Sequence, residues 1–354
     1  MQKLKVKFFE DAKVIKGYCR GIILDLTRQS YKFVPNSLVD LVLECDGLST
    51  EEIKKHYNNQ YDSVIHEYID FLIQNEFAFY ADNPSLFPRM SLSWHSSSLI
   101  SNAIICDKQS NHNYRVISDC LDQLNCKGLQ LRFFYPITDL ELIDILKEFV
   151  ASKIKGIEII LPYSSSRTNS NYHDLVKLNP RITSFFLYSS IHNDVCFLDN
   201  GRTLPLCHNS NNIVDDNFCG VIHPNNFIVN KTFFCESNSY NGCLNRKIAI
   251  DTNGDIKNCP SSEKSFGNIK DTTIRTVLDT LLFKELWKIT KDQIEVCKDC
   301  EFRYICMDCR VFIKDKNNIY SQPAKCTYNP YIAKWQGQKG YISVEDWLIV
   351  NHVE

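Results

Sequence analysis

Eight of the chain's sixteen cysteines fall in the 92 residues that end at Cys326: Cys235, Cys243, Cys259, Cys297, Cys300, Cys306, Cys309 and Cys326. Their spacing is C-x7-C-x15-C, a gap, then C-x2-C-x5-C-x2-C, and a last cysteine after sixteen more residues. A four-iron, four-sulfur cluster takes one thiolate per iron, so eight thiolates match two fully ligated clusters with none left over. Four-cysteine zinc sites also use C-x2-C pairs and are the competing reading. The five-residue loop between the two pairs is short for a zinc ribbon. Residues 248–256 read as a hairpin with Asn253 and Gly254 at its tip, which brings Cys243 and Cys259 together. The other eight cysteines are scattered over the first 219 residues.

The run Cys243, Gly254-x4-Cys259, Cys297-x2-Cys300-x5-Cys306 and Cys326 resembles the SPASM domain, the auxiliary-cluster domain that follows radical S-adenosylmethionine enzymes acting on peptides. It departs once, with two residues rather than three between Cys306 and Cys309. The resemblance implies one ligand set of Cys235, Cys243, Cys259 and Cys309, and a second of Cys297, Cys300, Cys306 and Cys326. It also implies an upstream barrel whose first strand is followed by C-x3-C-x2-C, where three cysteines leave one iron open for S-adenosylmethionine. Here that strand is followed by Cys106-Asp107-Lys108-Gln109-Ser110-Asn111-His112, and no other stretch carries the triplet. The glycine-glycine-glutamate turn expected after the second strand is replaced by Arg132-Phe133-Phe134-Tyr135-Pro136. S-adenosylmethionine is therefore not expected as a cofactor. The middle of the chain is expected to be a degenerate partial barrel of radical S-adenosylmethionine type, since a fold outlasts its chemistry. Cys106 is expected as a buried strand thiol.

The elements that must position these cysteines give an α/β fold. Residues 95–230 alternate strand and helix: strands at 99–106, 129–135, 157–161 and 184–188, helices at 114–124 and 140–151, and a further strand at 226–229. This rhythm predicts parallel strands joined by helices, in an open sheet or partial barrel. It is short for a full eight-stranded barrel of ~250 residues. Residues 231–354 form the cysteine-rich domain. Residues 1–85 carry short strands at 5–9, 14–18, 21–24 and 31–34, a helix at 37–45, a second opened by a Ser49/Glu52 capping box, and a third at 62–75. That order predicts a winged-helix-like module.

The module resembles the peptide-recognition element of ribosomal peptide maturation systems, which binds a leader peptide as an added strand. The implied contacts are Tyr31, Lys32, Phe33 and Val34 on the strand, with Ile65, Tyr68, Ile69 and Leu72 on the third helix. Recognition module, triplet-free barrel and SPASM domain together resemble the maturases called grasp-with-spasm proteins, as does the stretch from Tyr240 to Ile248. That resemblance implies a precursor peptide and an ATP-grasp ligase as partners, and no radical chemistry of the chain's own. The alternative is a radical or redox peptide-modifying enzyme that uses S-adenosylmethionine at a non-standard site.

Forty basic against 42 acidic residues give a net charge of -2, which offers no general attraction to nucleic acid or anionic membrane. The first ten residues lack the apolar core of a signal peptide. No stretch approaches the ~20 apolar residues of a membrane span. A cytoplasmic setting is expected, where thiols point to metal rather than disulfides. The nine histidines are dispersed, none paired with another at metal spacing; His208 beside Cys207, with Cys219 further on, is expected in a surface loop. No phosphate-binding or nucleophile-elbow motif occurs, and no catalytic residue is assigned.

Overall fold

A computed structural model describes residues 4–109, 112–199 and 203–351. Ser110 and Asn111, in the segment read after the first barrel strand, lie outside the described residues.

The largest unit is an eight-stranded sheet. Strands β6 (Asn102–Asp107), β7 (Gly128–Phe133), β8 (Gly156–Pro162), β9 (Ile182–Tyr188), β11 (Thr203–His208) and β12 (Lys247–Ile250) are parallel, in the order β11-β9-β8-β7-β6-β12. Antiparallel β10 (Asp194–Asp199) closes one end, and β13 (Ile256–Lys257) the other. Among the described residues the sheet is open, and two of its strands come from the cysteine-rich segment. The hairpin expected at 248–256 is β12 and β13, with Gly254 at φ +88 in its turn.

Side chains alternate across each strand, and the sheet's faces differ in character. Ala103, Ile105, Leu129, Leu131, Phe133, Ile157 and Ile159 pack under helices α4 (Tyr114–Gln123), α5 (Asp139–Glu148) and α6 (Asn169–Leu178) in one core. Helix α5 presents Leu142, Ile145 and Leu146 at helical spacing and is opened by a Thr138/Glu141 capping box. The opposite face carries Asn102, Ile104, Gln130, Arg132 and Glu158 and looks toward the cysteine loops. The expected strand at 226–229 does not form. Pro224–Asn226 closes a 3₁₀ turn, and the Ile228 N–H donates to the Ile305 carbonyl at 2.9 Å.

The N-terminal unit consists of β1 (Lys5–Phe8) paired with β5 (Ala78–Ala81), the meander β2 (Ala12–Lys16), β3 (Gly21–Asp25) and β4 (Ser30–Val34), and helices α1 (Asn36–Cys45), α2 (Thr50–His56) and α3 (Asp62–Gln74). The Ser49/Glu52 capping box opens α2 as expected. One correction concerns α3. Ile65, Ile69 and Leu72 are 2%, 1% and 0% exposed and pack with Val6, Val39 and Ile53. Their helical periodicity serves the unit's own core, so they do not line an open groove. Val34 is buried there too, and the Tyr68 hydroxyl is bonded to Ser37 Oγ at 2.7 Å.

The β2–β3 hairpin also packs against the cysteine-rich segment. Ile15, Ile22 and Leu24 share a core with Phe234, Phe302 and Ile305. Its turn approaches so closely that a Cβ on Gly17 would lie 2.6 Å from the Arg20 carbonyl oxygen and 2.9 Å from Glu301 Cβ. Gly17→Ala is therefore expected to destabilise the protein by about 1–3 kcal/mol, the cost of overpacking a close contact. Denaturant midpoints of the two proteins check this; an unchanged midpoint would mean the hairpin does not dock there.

Candidate metal centre

All sixteen cysteines are free thiols. Seven of the eight counted at the end of the chain fall into two groups. The second expected set is brought together: Cys297 lies close to Cys300, Cys306 and Cys326, and Cys326 lies close to Cys300 and Cys306. Cys297 and Cys300 lie on and just after a single 3₁₀ turn, Cys297–Asp299, which lets a two-residue spacer point both sulfurs one way. The buried Lys291 ammonium donates to Cys297 Sγ at 3.7 Å and pairs with Asp308 at 3.3 Å. Asp308 is held in turn by Arg310, whose Nη2 donates to it at 2.8 Å.

Cys243, Cys259 and Cys309 gather at the polar face of the sheet, where they line a cavity of ≈ 740 Å³ with Arg132, Glu158 and Lys247. Cys235, expected with them, does not line it. That thiol sits on helix α7 (Lys231–Ser237), with its Sγ 3.9 Å from the Ser91 carbonyl oxygen. The cavity is also reached by Cys306 of the other group and by a cysteine that the spacing did not single out, Cys219. Asn241 ties the two groups: its Oδ1 accepts from the Cys243 N–H at 3.0 Å, and its Nδ2 donates to Asp308 at 2.7 Å.

The electrostatics favour a metal-bound anion. Burial pushes the thiols of Cys259 and Cys297 up to about 12 and that of Cys306 to about 11, so without a metal they stay protonated near neutrality. Yet cations are aimed at them from buried and half-buried positions. Lys247 Nζ donates to Cys243 Sγ at 3.2 Å and makes no carboxylate ion pair among the described residues. Burial opposes its charge, but thiolates at Cys243 and Cys259 would outweigh that and hold its pKa above the ordinary lysine range. A buried ammonium facing neutral thiols is costly. Metal coordination deprotonates the thiols and supplies the missing anion. Soft all-sulfur donor sets of this kind suit iron–sulfur clusters or zinc.

The SPASM family, an iron-sulfur cluster-binding domain, matches residues 242–301. The chain carries a SPASM domain. The matched span includes Cys243, Cys259, Cys297 and Cys300, one pair from each group. Among solved structures, the chain is similar to Streptococcus suis SuiB at 11% identity, covering 90% of this chain and 99% of that one with a TM-score of 0.31. It is also similar to SuiB bound to precursor peptide SuiA (13% identity, 90% and 98% covered, TM-score 0.27). For SuiB bound to S-adenosylmethionine the values are 12%, 90% and 98%, and 0.28. No curated protein matches the chain. No described helix is long and apolar enough to cross a membrane.

Upstream of the SPASM domain, Cys106 is a buried β6 thiol as expected, donating to Asp216 Oδ1 at 3.3 Å. Burial, with Asp216 beside it, pushes its pKa far up. Arg132, at the strand end that lacks the glycine turn, donates to Asp216 at 2.5 Å and to Cys219 Sγ at 3.2 Å. The histidines hold one surprise. His192, Asp194 and His208 bring ligand atoms within 4.8 Å of one another on the β10–β11 hairpin, where Asp194 lies opposite His208. Cross-strand register, which no local spacing reports, makes that trio.

Proposed function

We propose that this protein takes part in maturing a ribosomally made peptide, binding the precursor while holding two [4Fe-4S] clusters, alongside an ATP-grasp ligase. The observation that carries the reading is the SPASM domain with its two groups of thiols. In this reading residues 1–85 recognise the peptide, 95–230 form a degenerate radical-enzyme frame, and 231–354 hold the clusters. Cys297, Cys300, Cys306 and Cys326 ligate one cluster; Cys243, Cys259 and Cys309 ligate the other with a fourth thiol. Bound clusters would supply a redox centre or a rigid anchor for the loops that carry them. Lys247, Lys291 and Arg132 offset their negative charge.

Strand β4 is the element for the peptide. Among the described residues it pairs only with β3, so its outer edge offers unpaired backbone groups. Lys32 and Phe33 are exposed on it. Successive N–H groups of a strand point to opposite sides. Of Lys32→Pro and Phe33→Pro, the variant that keeps the parent melting temperature has lost an outward donor. Titration of labelled precursor peptide is expected to show that variant binding about tenfold more weakly, the value of one lost hydrogen bond. No binding by the parent protein, or equal binding by both variants, removes the recognition reading. Because the chain lacks C-x3-C-x2-C, anaerobic incubation with reductant and S-adenosylmethionine is expected to give no 5′-deoxyadenosine above background; release of that product would favour the enzyme alternative.

A further inference from the structure

We infer that Cys219 supplies the fourth thiolate of the first group, with Cys243, Cys259 and Cys309, and that Cys235 is not a ligand. The inference rests on the proposed cluster function.

Cys219, Cys243, Cys259 and Cys309 line one cavity against the polar face of the sheet; Cys306 of the second group also reaches it, and Cys235 does not. The backbone following Cys219 is pressed onto Cys309. Gly220 has φ +81, and a Cβ there would lie 3.0 Å from Cys309 Sγ and 2.8 Å from Phe312 Cδ2. Only glycine tolerates both the conformation and the approach. The loop carrying Cys219 is fixed from both sides: Arg132 bonds Asp216 and the Cys219 sulfur, while Lys325 Nζ donates to the Cys219 carbonyl at 2.6 Å. Cys235, in contrast, is buried on α7 beside the Ser91 carbonyl, with Phe233 and Phe234 on the same short helix.

The chemistry of the surroundings agrees. A cluster ligated by four thiolates carries net negative charge, and hydrogen bonds to its sulfurs set its potential. Two cations, buried Arg132 and half-buried Lys247, donate to two of the four sulfurs, Cys219 and Cys243, at 3.2 Å each. No cation donor is directed at Cys235 among the described residues. Arg132 is thus a positioning residue for the ligand loop and a tuning charge for the cluster.

The test uses full-length Cys219→Ala and Cys235→Ala proteins, prepared anaerobically beside the parent, with iron, sulfide and the paramagnetic signals of the reduced protein measured for each. The expected result is parent-like content for Cys235→Ala. Cys219→Ala is expected to lose up to about four irons, one cluster's worth, while the signal of the second cluster persists. That persistent signal reports that the chain has folded. Should Cys219→Ala fail to fold, Cys219→Ser keeps a weaker oxygen donor and is expected to show an altered first-cluster signal. Iron loss in Cys235→Ala, or full iron and an unchanged signal in the Cys219 variants, overturns the inference. A parent protein without iron defeats the proposed function instead, so the two failures are distinguishable.

Discussion

Alanine at both Cys297 and Cys300 is expected to lower the iron of anaerobically purified protein from about eight atoms per chain to about four, with sulfide falling equally. Two of four thiols in the second group are then gone, and the remaining Cys306 and Cys326 cannot complete a cubane. The first group is expected to keep its cluster, because it is built on other elements, the β12–β13 hairpin and the sheet face beside it. Buried Lys291 would lose its bond to Cys297 but retain Asp308 at 3.3 Å, so the loop does not face an unpaired ammonium. Iron, sulfide and the spectrum of the reduced variant check this. Eight irons retained would exclude Cys297 and Cys300 as ligands, and complete loss would show the two groups to be one cooperative site.

Arg20→Ala is expected to cost about 3 kcal/mol of stability, at the lower end for breaking a buried ion pair because Arg20 keeps partial solvent contact. Glu301 is 0% exposed and adjoins Cys300. Its Oε1 takes a hydrogen bond from Arg20 Nε at 2.9 Å and one from the Tyr328 hydroxyl at 2.5 Å, and its Oε2 has no hydrogen-bond partner among the described residues. Removing the guanidinium leaves a buried carboxylate beside the second thiol group, where ligation would add further negative charge. The Tyr18 N–H, which bonds the Asp299 carbonyl at 2.7 Å, belongs to the same turn and would loosen with it. Second-cluster iron is therefore expected to fall along with the denaturation midpoint. Arg20→Ala with Glu301→Gln should recover part of both, since the uncompensated charge is then absent. A single variant with parent stability would show that the pair contributes nothing.

What the sequence made legible was local. The capping box at Ser49 and Glu52, the turn at Asn253 and Gly254, the strand–helix alternation and the pairing of Cys297 with Cys300 each depend on residues a few positions apart. What it hid was decided by distant contacts. The periodicity of Ile65, Ile69 and Leu72 reports that one helix face is covered, but not whether by the chain's own core or by a partner; here Val6 and Val39 cover it. Cys219 has no cysteine neighbour at ligand spacing, and it reaches Cys309 only through the packing of Gly220. The 226–229 stretch is apolar enough for a strand, yet Pro224 diverts it into a 3₁₀ turn. Helix α6, polar apart from Tyr172, Leu175, Val176 and Leu178, escaped the pattern altogether. The contact between the N-terminal hairpin and the loop of Cys297 and Cys300 joins residues 281 positions apart, as in Arg20 with Glu301.

The most direct test is the metal content of the unaltered chain purified without oxygen. The expected result is a brown protein with about eight irons and about eight sulfides per chain, in two clusters of four. A colourless protein free of iron, or one carrying zinc in its place, would contradict it.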